Sequence, residues 1–232
     1  MKLPAYPHYK PSGIEWLGDV PEHWGMGRVG CLFRLRSGGT PSTDVPDFWN
    51  GDIPWVSAKD MKCLRIIDAE DHITPQAVAE SATSLIPAGA ALVVARSGIL
   101  KHSLPIAVAE REVAVNQDIK GFLPNSTRID SYFFAYWVQG NQPPLLTLWR
   151  QQGATVESLD IEKVKVTSLP LPPSAEQHSI ADFLDRETAK IDAMVTKIET
   201  AIERLREYRT ALITAAVTGK IDTHPVMETI PT

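Results

Sequence analysis

At 232 residues, with 44% apolar and 22% charged side chains, the chain has room for one sizeable folded domain plus an extension. Eighteen prolines and fourteen glycines mark a turn-rich fold rather than a disordered polymer. The net charge of −5 argues against a generally basic nucleic-acid binder, and dividing the chain does not help: residues 1–172 carry 16 Lys and Arg against 18 Asp and Glu, and residues 173–232 carry 7 against 10.

No apolar run approaches the roughly 18 to 20 residues of a membrane helix. The segment from Met1 to Trp16 lacks the uninterrupted apolar stretch of a secretory signal. The expectation is a soluble, cytoplasmic chain with no membrane partner. Cys31 and Cys63 lie far apart, without CxxC or Cys/His spacing, which argues against a disulfide scaffold or a zinc ribbon. Both read as small buried apolar residues.

In chain order, Val29 to Leu35 reads as a strand that ends at Ser37-Gly38-Gly39-Thr40-Pro41, and Ile53 to Val56 as a second. Thr74-Pro75 reads as an N-cap with proline at the first helical position, opening a short helix to about Ser81. Ala90 to Ala95 and Ile106 to Ala109 are further strands, and Val113 to Val115 is expected to return through a hairpin at Glu110-Arg111. Asp130 or Ser131 caps an aromatic helix, Tyr132 to Gln139, which Gly140 and Pro143-Pro144 break before a second helical stretch from Leu145 to Gln151. The sum is an α+β class: one mixed domain over residues 1–172, followed by a long coiled-coil-type helix.

The boundary is Leu169-Pro170-Leu171-Pro172-Pro173, where three prolines in four residues force an extended, stiff chain. Residues 173–221 then read as one helix, with residues 222–232 as a tail. Ser174-Ala175-Glu176-Gln177 has the pattern of a capping box, Asp182 and Asp185 lie early, Arg204, Arg206 and Arg209 lie late, and Gly219 offers a left-handed stop. Apolar residues repeat at alternating steps of three and four. One seam position holds Leu184, Ile191, Ile198, Leu205 and Leu212; the other holds Ile180, Met194, Ala201, Tyr208 and Ala215, interrupted by Glu187. Such a heptad stripe lies along another helix, or alternatively packs on its own domain.

From Ser174 to Val217 the helix is about 65 Å long, close to two turns of B-DNA at roughly 34 Å each. Lys190, Lys197 and Arg204 occupy one flank of the seam, and Val195 and Ile202 widen the apolar stripe on the other. The wider stripe points to a third docked surface besides a paired helix.

With these segments in hand, the chain resembles the specificity subunits of Type I restriction-modification systems. The resemblance rests on Tyr9-Lys10-Pro11-Ser12-Gly13-Ile14-Glu15-Trp16-Leu17-Gly18 with Pro21-Glu22-His23-Trp24, on Ser37 to Pro41, and on Trp49-Asn50-Gly51-Asp52-Ile53-Pro54-Trp55-Val56. It continues through Ile86-Pro87-Ala88-Gly89, Arg96-Ser97-Gly98 and Val115-Asn116-Gln117-Asp118. It ends with Leu169 to Gln177, Ile180-Ala181-Asp182-Phe183-Leu184 and Ala216 to Ile221.

The resemblance implies a non-catalytic DNA-binding subunit whose target recognition domain reads one half of a bipartite site in double-stranded DNA. It implies a helix that acts as a spacer and docks methyltransferase subunits, with a restriction subunit joining the complex. It implies no cofactor on this chain, S-adenosylmethionine being held by the partner methyltransferase. The usual family member carries two recognition domains and two helices; this chain has one of each. A lone helix leaves its seam exposed, so pairing with a second copy, as a homodimer, or with another half-subunit is expected, and a symmetric pair would read an interrupted palindrome.

Base discrimination needs paired donors and acceptors at a groove edge, with Lys, Arg, Ser and Thr on phosphates. Arg34, Arg36, Ser37, Gly38, Gly39 and Thr40 flank or form the glycine loop; Ser57 and Lys59 follow the Trp55 strand. Arg96, Ser97 and Lys101 follow the Ala90 strand, and Asn116 and Gln117 follow the Val113 strand. These are the candidate DNA contacts. The alternatives are a plain turn at Gly38-Gly39, buried-backbone satisfaction by Asn116 and Gln117, and solvent exposure of Arg34 and Arg36. The candidate helix-pairing residues are Ile180, Leu184, Ile191, Met194, Ile198, Leu205, Tyr208 and Leu212.

Two other readings compete. Pro46-Asp47 with Asp60-Met61-Lys62 loosely fits a metal-dependent nuclease, and the heptad helix alone fits an oligomerising scaffold. Gly-x-Ser-x-Gly, P-loop, dinucleotide and HExxH patterns are all absent from the sequence, and the six histidines follow no ligand spacing.

Overall fold

The computed structural model describes residues 4–125, 127–151, 153 and 155–223, so the expected tail lies, past its first two residues, outside the described part. In chain order the elements are β1 (Tyr9–Pro11), β2 (Asp19–Pro21), β3 (Gly25–Arg28), α1 (Val29–Leu32), β4 (Phe33–Ser37), β5 (Trp49–Val56), β6 (Arg65–Ile66), β7 (Asp71–Ile73), α2 (Pro75–Glu80) and β8 (Leu85–Ile86). They continue as β9 (Ala91–Val94), β10 (Ile106–Ala109), β11 (Val113–Val115), β12 (Ile119–Pro124), α3 (Ser131–Gly140), α4 (Gln142–Trp149), α5 (Ile161–Val166), β13 (Ser168–Leu171) and α6 (Ser174–Val217). The chain divides into two compact units, Met1–Ala181 and Asp182–Thr232. The first unit is the mixed α+β domain and includes the first two turns of α6.

Its centre is a five-stranded sheet in the order β4-β12-β9-β10-β6, packed on a four-stranded sheet in the order β7-β5-β11-β8. The sequence runs of β9 and β10 are wholly apolar because both of their faces are covered. Ala91, Val93, Ile106 and Val108 pack toward Phe133, Phe134, Trp137, Val138 and Trp149 of α3 and α4. The alternating Leu92, Val94, Ala107 and Ala109 pack toward Val56, Ile86, Val113 and Val115 of the other sheet. A third cluster, Phe48, Trp55, Ile73, Ala77 and Ala114, closes the outer face of that second sheet.

Several expectations are corrected. Val29–Leu32 is helical, because Val29 and Leu32, three apart, both face the core, and the strand begins at Phe33. Val113–Val115 does not return on Ile106–Ala109: β10 already has β9 and β6 on its two edges, so the chain crosses to the other sheet, where β11 pairs parallel to β5 and antiparallel to β8. The second aromatic helix starts earlier, at Gln142, since its prolines sit in the first turn where no backbone N–H is needed. Cys31 and Cys63 are exposed, on the outer side of α1 and in the turn before β6, where Cys63 Sγ donates to the Arg65 carbonyl at 3.1 Å. The proline-rich boundary is extended as expected and pairs with β3.

Caps hold where they are local. Thr74 Oγ1 accepts from Ala77 N at 3.3 Å and Asp130 Oδ1 from Phe133 N at 2.8 Å. Gly219, at φ +70, ends α6, with Lys220 N–H on the Ala215 carbonyl and Gly219 N–H on that of Ala216.

The capping box is not used. Pro173 is the capping residue, its carbonyl taking the N–H groups of Glu176 and Gln177. Gln177 is fully buried and ties α6 to the domain: its Oε1 accepts from Asp130 N at 2.8 Å, and its Nε2 donates to the carbonyls of Arg128 and Pro172, both at 2.8 Å. Glu176 is clasped by the N-terminal segment, receiving Tyr6 Oη at 2.6 Å and Trp24 Nε1 at 3.1 Å, with His23 Nε2 at 2.9 Å.

In the second unit, the seam residues Ile191, Met194, Ile198, Leu205, Tyr208 and Leu212 are exposed, as are Val195 and Ile202. Leu184 is half-buried, and Ile180, in the first unit, packs on that unit's core. Lys190 pairs with Glu187 on its own helix at 2.8 Å. Among the described residues no helix is long and apolar enough to cross a membrane.

Two outcomes follow from the root of α6. Gln177→Glu keeps capping-box chemistry but points a buried carboxylate at two carbonyls, those of Arg128 and Pro172, so urea denaturation should show a loss of roughly 2 kcal/mol or more. A capping role alone would leave stability nearly unchanged. The second concerns pH. Burial pushes the Glu176 carboxyl up, but the hydrogen bonds from Tyr6, His23 and Trp24 outweigh it and hold the group below its ordinary 4.5, while the same contact pushes the Tyr6 phenol up to about 12. The folded carboxyl binds its proton more weakly than the unfolded one, so the clasp is at full strength above pH 4.5 and is lost as pH falls through the folded value. Thermal unfolding followed from about pH 6 to about pH 3 should therefore fall more steeply for the wild type than for Glu176→Gln.

Candidate nucleic-acid interface

Four of the loops singled out in the sequence leave the sheets at one end. The parallel pairing of Val56 with Val115 and the antiparallel pairing of Ser37 with Lys120 and of Val94 with Ile119 bring the ends of β4, β5, β9 and β11 together with the start of β12. The loops after these strands therefore form a common rim.

Backbone contact joins them. Gly39 N–H donates to the Val115 carbonyl at 3.0 Å, and the chain at Gly38 passes so close that a Cβ there would stand 1.8 Å from that same oxygen. Only glycine fits this crossing. The Gly39 carbonyl then takes Trp55 Nε1 at 3.0 Å and Thr83 Oγ1 at 2.8 Å, so the loop is pinned from both sides. Next to it, Thr40 Oγ1 donates to Gln117 Oε1 at 2.6 Å, and among the described residues the Gln117 amide nitrogen has no partner.

The remaining candidates differ in how far they are committed. Asn116 is buried; its N–H bonds the Val56 carbonyl and its Oδ1 takes Asp118 N–H at 3.1 Å, so its oxygen shapes the turn. Ser57 is buried and gives its hydroxyl to Asp60 Oδ2 at 2.9 Å. Arg96 stands exposed on Asp118, Nε to Oδ1 at 2.8 Å, and among the described residues nothing else holds its guanidinium fork. Ser97 Oγ takes Ile99 N–H and starts a 3-10 turn from Gly98 to Lys101; no described contact ties Lys101 to the rim. Lys59 edges the rim between Asp71 at 2.9 Å and Glu70 at 3.2 Å; the Asp71 hydrogen bond raises its pKa and the two carboxylates balance its charge.

Arg34 and Arg36 lie on the face of β4 away from Ser37. Arg36 Nη1 donates to the Leu85 carbonyl at 2.6 Å, and Arg34 is exposed three residues back from the strand end, about 10 Å. Sequence reasoning missed two rim residues: Asp118, which positions Arg96, and Lys120, which donates to Ser37 Oγ at 2.7 Å. The signal for Lys120 was present, since it is the one charged residue in the Ile119–Pro124 strand directly after the Asn116-Gln117-Asp118 loop.

The carboxylate of the nuclease pattern has a structural job. Asp60 takes Ser57 N–H and hydroxyl on one oxygen and Glu70 N–H on the other, closing the loop after β5. Among the described residues no group of three or more His, Cys, Asp or Glu is placed to hold a metal ion.

Comparison with known proteins gives a consistent result. The family model for the Type I restriction modification DNA specificity domain matches residues 21–204. The chain is 33% identical over 210 residues to the Type I restriction enzyme EcoR124I/EcoR124II specificity subunit of Escherichia coli, covering 90% of this chain and 50% of that protein. To the Type I restriction enzyme MjaIX specificity subunit of Methanocaldococcus jannaschii it is 27% identical over 171 residues, covering 72% and 38%. The chain thus spans half or less of the length of these relatives.

Among solved structures, it matches a chain from a study of complex assembly and conformational transition of the type I R-M system with a TM-score of 0.68 at 17% identity, over 90% of this chain and 48% of that one. It matches the HsdS subunit from Thermoanaerobacter tengcongensis with a TM-score of 0.57 at 17% identity, over 80% and 41%. At that identity the two structures establish the fold alone, a mixed α+β domain followed by a long helix. With the match over residues 21–204 and the Escherichia coli relative, they place this chain in the family of Type I restriction modification DNA specificity domains.

Proposed function

We propose that the chain is a non-catalytic DNA-reading specificity subunit of a Type I restriction-modification complex, and that its single domain reads one half of a bipartite site in double-stranded DNA. The observation that carries this reading is the convergence of the loops after β4, β5, β9 and β11 on one rim, where backbone contacts hold polar and cationic side chains in fixed register. A pre-organised rim of donors and acceptors suits base-edge discrimination, which loses affinity when contacts must be ordered on binding.

In this reading α6 is the spacer, docks the methyltransferase subunits and pairs with a second copy or another half-subunit. Its support is the stripe of exposed apolar residues from Ile191 to Leu212, a contiguous surface of the kind that marks an interface. The helix has 44 residues, so at about 1.5 Å each it approaches two turns of B-DNA. S-adenosylmethionine belongs to the methyltransferase partner, and the restriction subunit joins through the complex.

Adenine methylation mapped across the source genome, with and without this gene, tests the function. Loss of an interrupted palindromic motif is the expected result, and loss of an asymmetric gapped motif would point to a different partner half. A methylome that does not change on deletion would count against the reading. Pairing has its own test: light scattering of the purified chain should give about twice its 25.6 kDa mass. The double substitution Ile198→Asp, Leu205→Asp should return it to monomer with the thermal transition of the first domain unchanged, since both residues are exposed.

A further inference from the structure

We propose that Lys120 and Ser37 hold a backbone phosphate of the DNA, and that the cleft beside them seats one sugar–phosphate step of a strand; this rests on the DNA-reading role proposed above. The cleft has a volume of about 360 Å³. Phe33, Leu35 and Ile161 form its apolar floor, and Ser37, Lys120 and Lys165 supply its polar walls.

The local structure fixes this arrangement. Phe33, Leu35 and Ser37 alternate onto one face of β4, and Lys120 stands directly opposite Ser37 on β12, so hydroxyl and ammonium meet at 2.7 Å at the end of the sheet. The Ser37–Thr40 loop begins at Ser37, and the Asn116–Asp118 loop enters β12 one residue before Lys120. A strand whose phosphate sits here brings its neighbouring bases over the rim.

Lys120 differs from the ion-paired cations of this unit; Arg36, on the opposite face of β4, likewise has a neutral partner, the Leu85 carbonyl. Lys59 has Glu70 and Asp71, Arg96 has Asp118, Arg150 has Glu157, and Lys165 has Glu162. Lys120 is half-buried and its hydrogen-bond partner is a neutral hydroxyl. Burial pushes its ammonium below the ordinary lysine value, with Asp118 opposing only in part.

An ammonium taken partly out of water with no carboxylate in ion-pair contact among the described residues carries a cost that an entering anion removes. Lysine binds phosphate as a point charge, and serine hydroxyls commonly share such contacts. The apolar floor complements the C–H surface of a deoxyribose. Among the described residues Lys165 is held by an exposed pair with Glu162, three residues away, a bond weak enough to be released toward the same anion.

The test uses the full chain, a labelled duplex carrying the mapped methylation motif, and a scrambled duplex of equal length. Lys120→Gln should weaken both duplexes by the same factor, roughly tenfold, and flatten the dependence of log affinity on log salt by about 0.9. Lys10→Gln, the same charge change on β1, should leave the slope alone. A loss confined to the motif duplex with an unchanged slope would make Lys120 a base contact and overturn the phosphate assignment, as would unchanged affinity and slope.

The wild type reports separately on the parent reading. Equal binding of both duplexes would sink sequence recognition while the slope comparison still judged Lys120, and no binding at all would sink both. Independently of any variant, reductive methylation of wild-type lysines should find Lys120 protected by DNA at low salt. A reactive Lys120 in the bound protein overturns the proposal. So does equal protection by inorganic phosphate alone at matched ionic strength, which would make the cleft a free-anion site.

Discussion

Strands β9 and β10 have no solvent face, and most of the first unit follows from that constraint. Their eight residues are all buried, alternately toward the helices and toward the second sheet. Covering both faces requires an aromatic helix pair on one side and β5, β8 and β11 on the other. Once the two sheets are stacked, the chain must cross between them, and the crossing from β11 to β12 takes it through Asn116-Gln117-Asp118. The same closeness of the sheets brings Gly38 against the Val115 carbonyl. The rim is thus a by-product of a doubly covered sheet.

The root of α6 has a different physical basis. Gln177 offers one acceptor and two donor hydrogens to three backbone groups, the Asp130 N–H and the carbonyls of Arg128 and Pro172. Glu176 beside it gathers a phenol, an indole and an imidazole from the first 24 residues. Two adjacent side chains therefore join the N-terminal segment, the approach to α3 and the start of the helix. Deleting a partner from such a network costs more than its net contribution suggests, because the groups left behind are desolvated.

Charge is handled locally. A domain of net −2 meets a polyanion only where its cations are set at the surface it presents. Two of the rim cations, Lys59 and Arg96, carry their own carboxylates, which balances their charge and leaves orientation to hydrogen bonds. Arg96 on Asp118 is the clearest case: the acid fixes the fork and the fork stays exposed. Overall composition said nothing of this, since a count of charges does not say which are paired.

The sequence by itself determined whatever depends on neighbours within a turn or two. Thr74 and Asp130 capped the helices they were expected to cap, Gly219 stopped α6, and the heptad stripe, Ile180 and half-buried Leu184 and Ala215 aside, came out exposed. The ordered motifs from Tyr9 to Ile221 were enough for the family. Short elements without a recognised cap or apolar run were missed: α5 has six residues and β6 and β8 two each, too few for a period to show. Only the tertiary structure decided which strands are neighbours. It sent Val113–Val115 to the second sheet because both edges of β10 were taken, gave Gln177 to the Asp130 backbone rather than to a cap, exposed both cysteines, and set Lys120 against Ser37 across 83 residues of chain. Those outcomes are pairings between distant segments, and a local pattern carries no information about which distant edge, carbonyl or hydroxyl will be left unfilled.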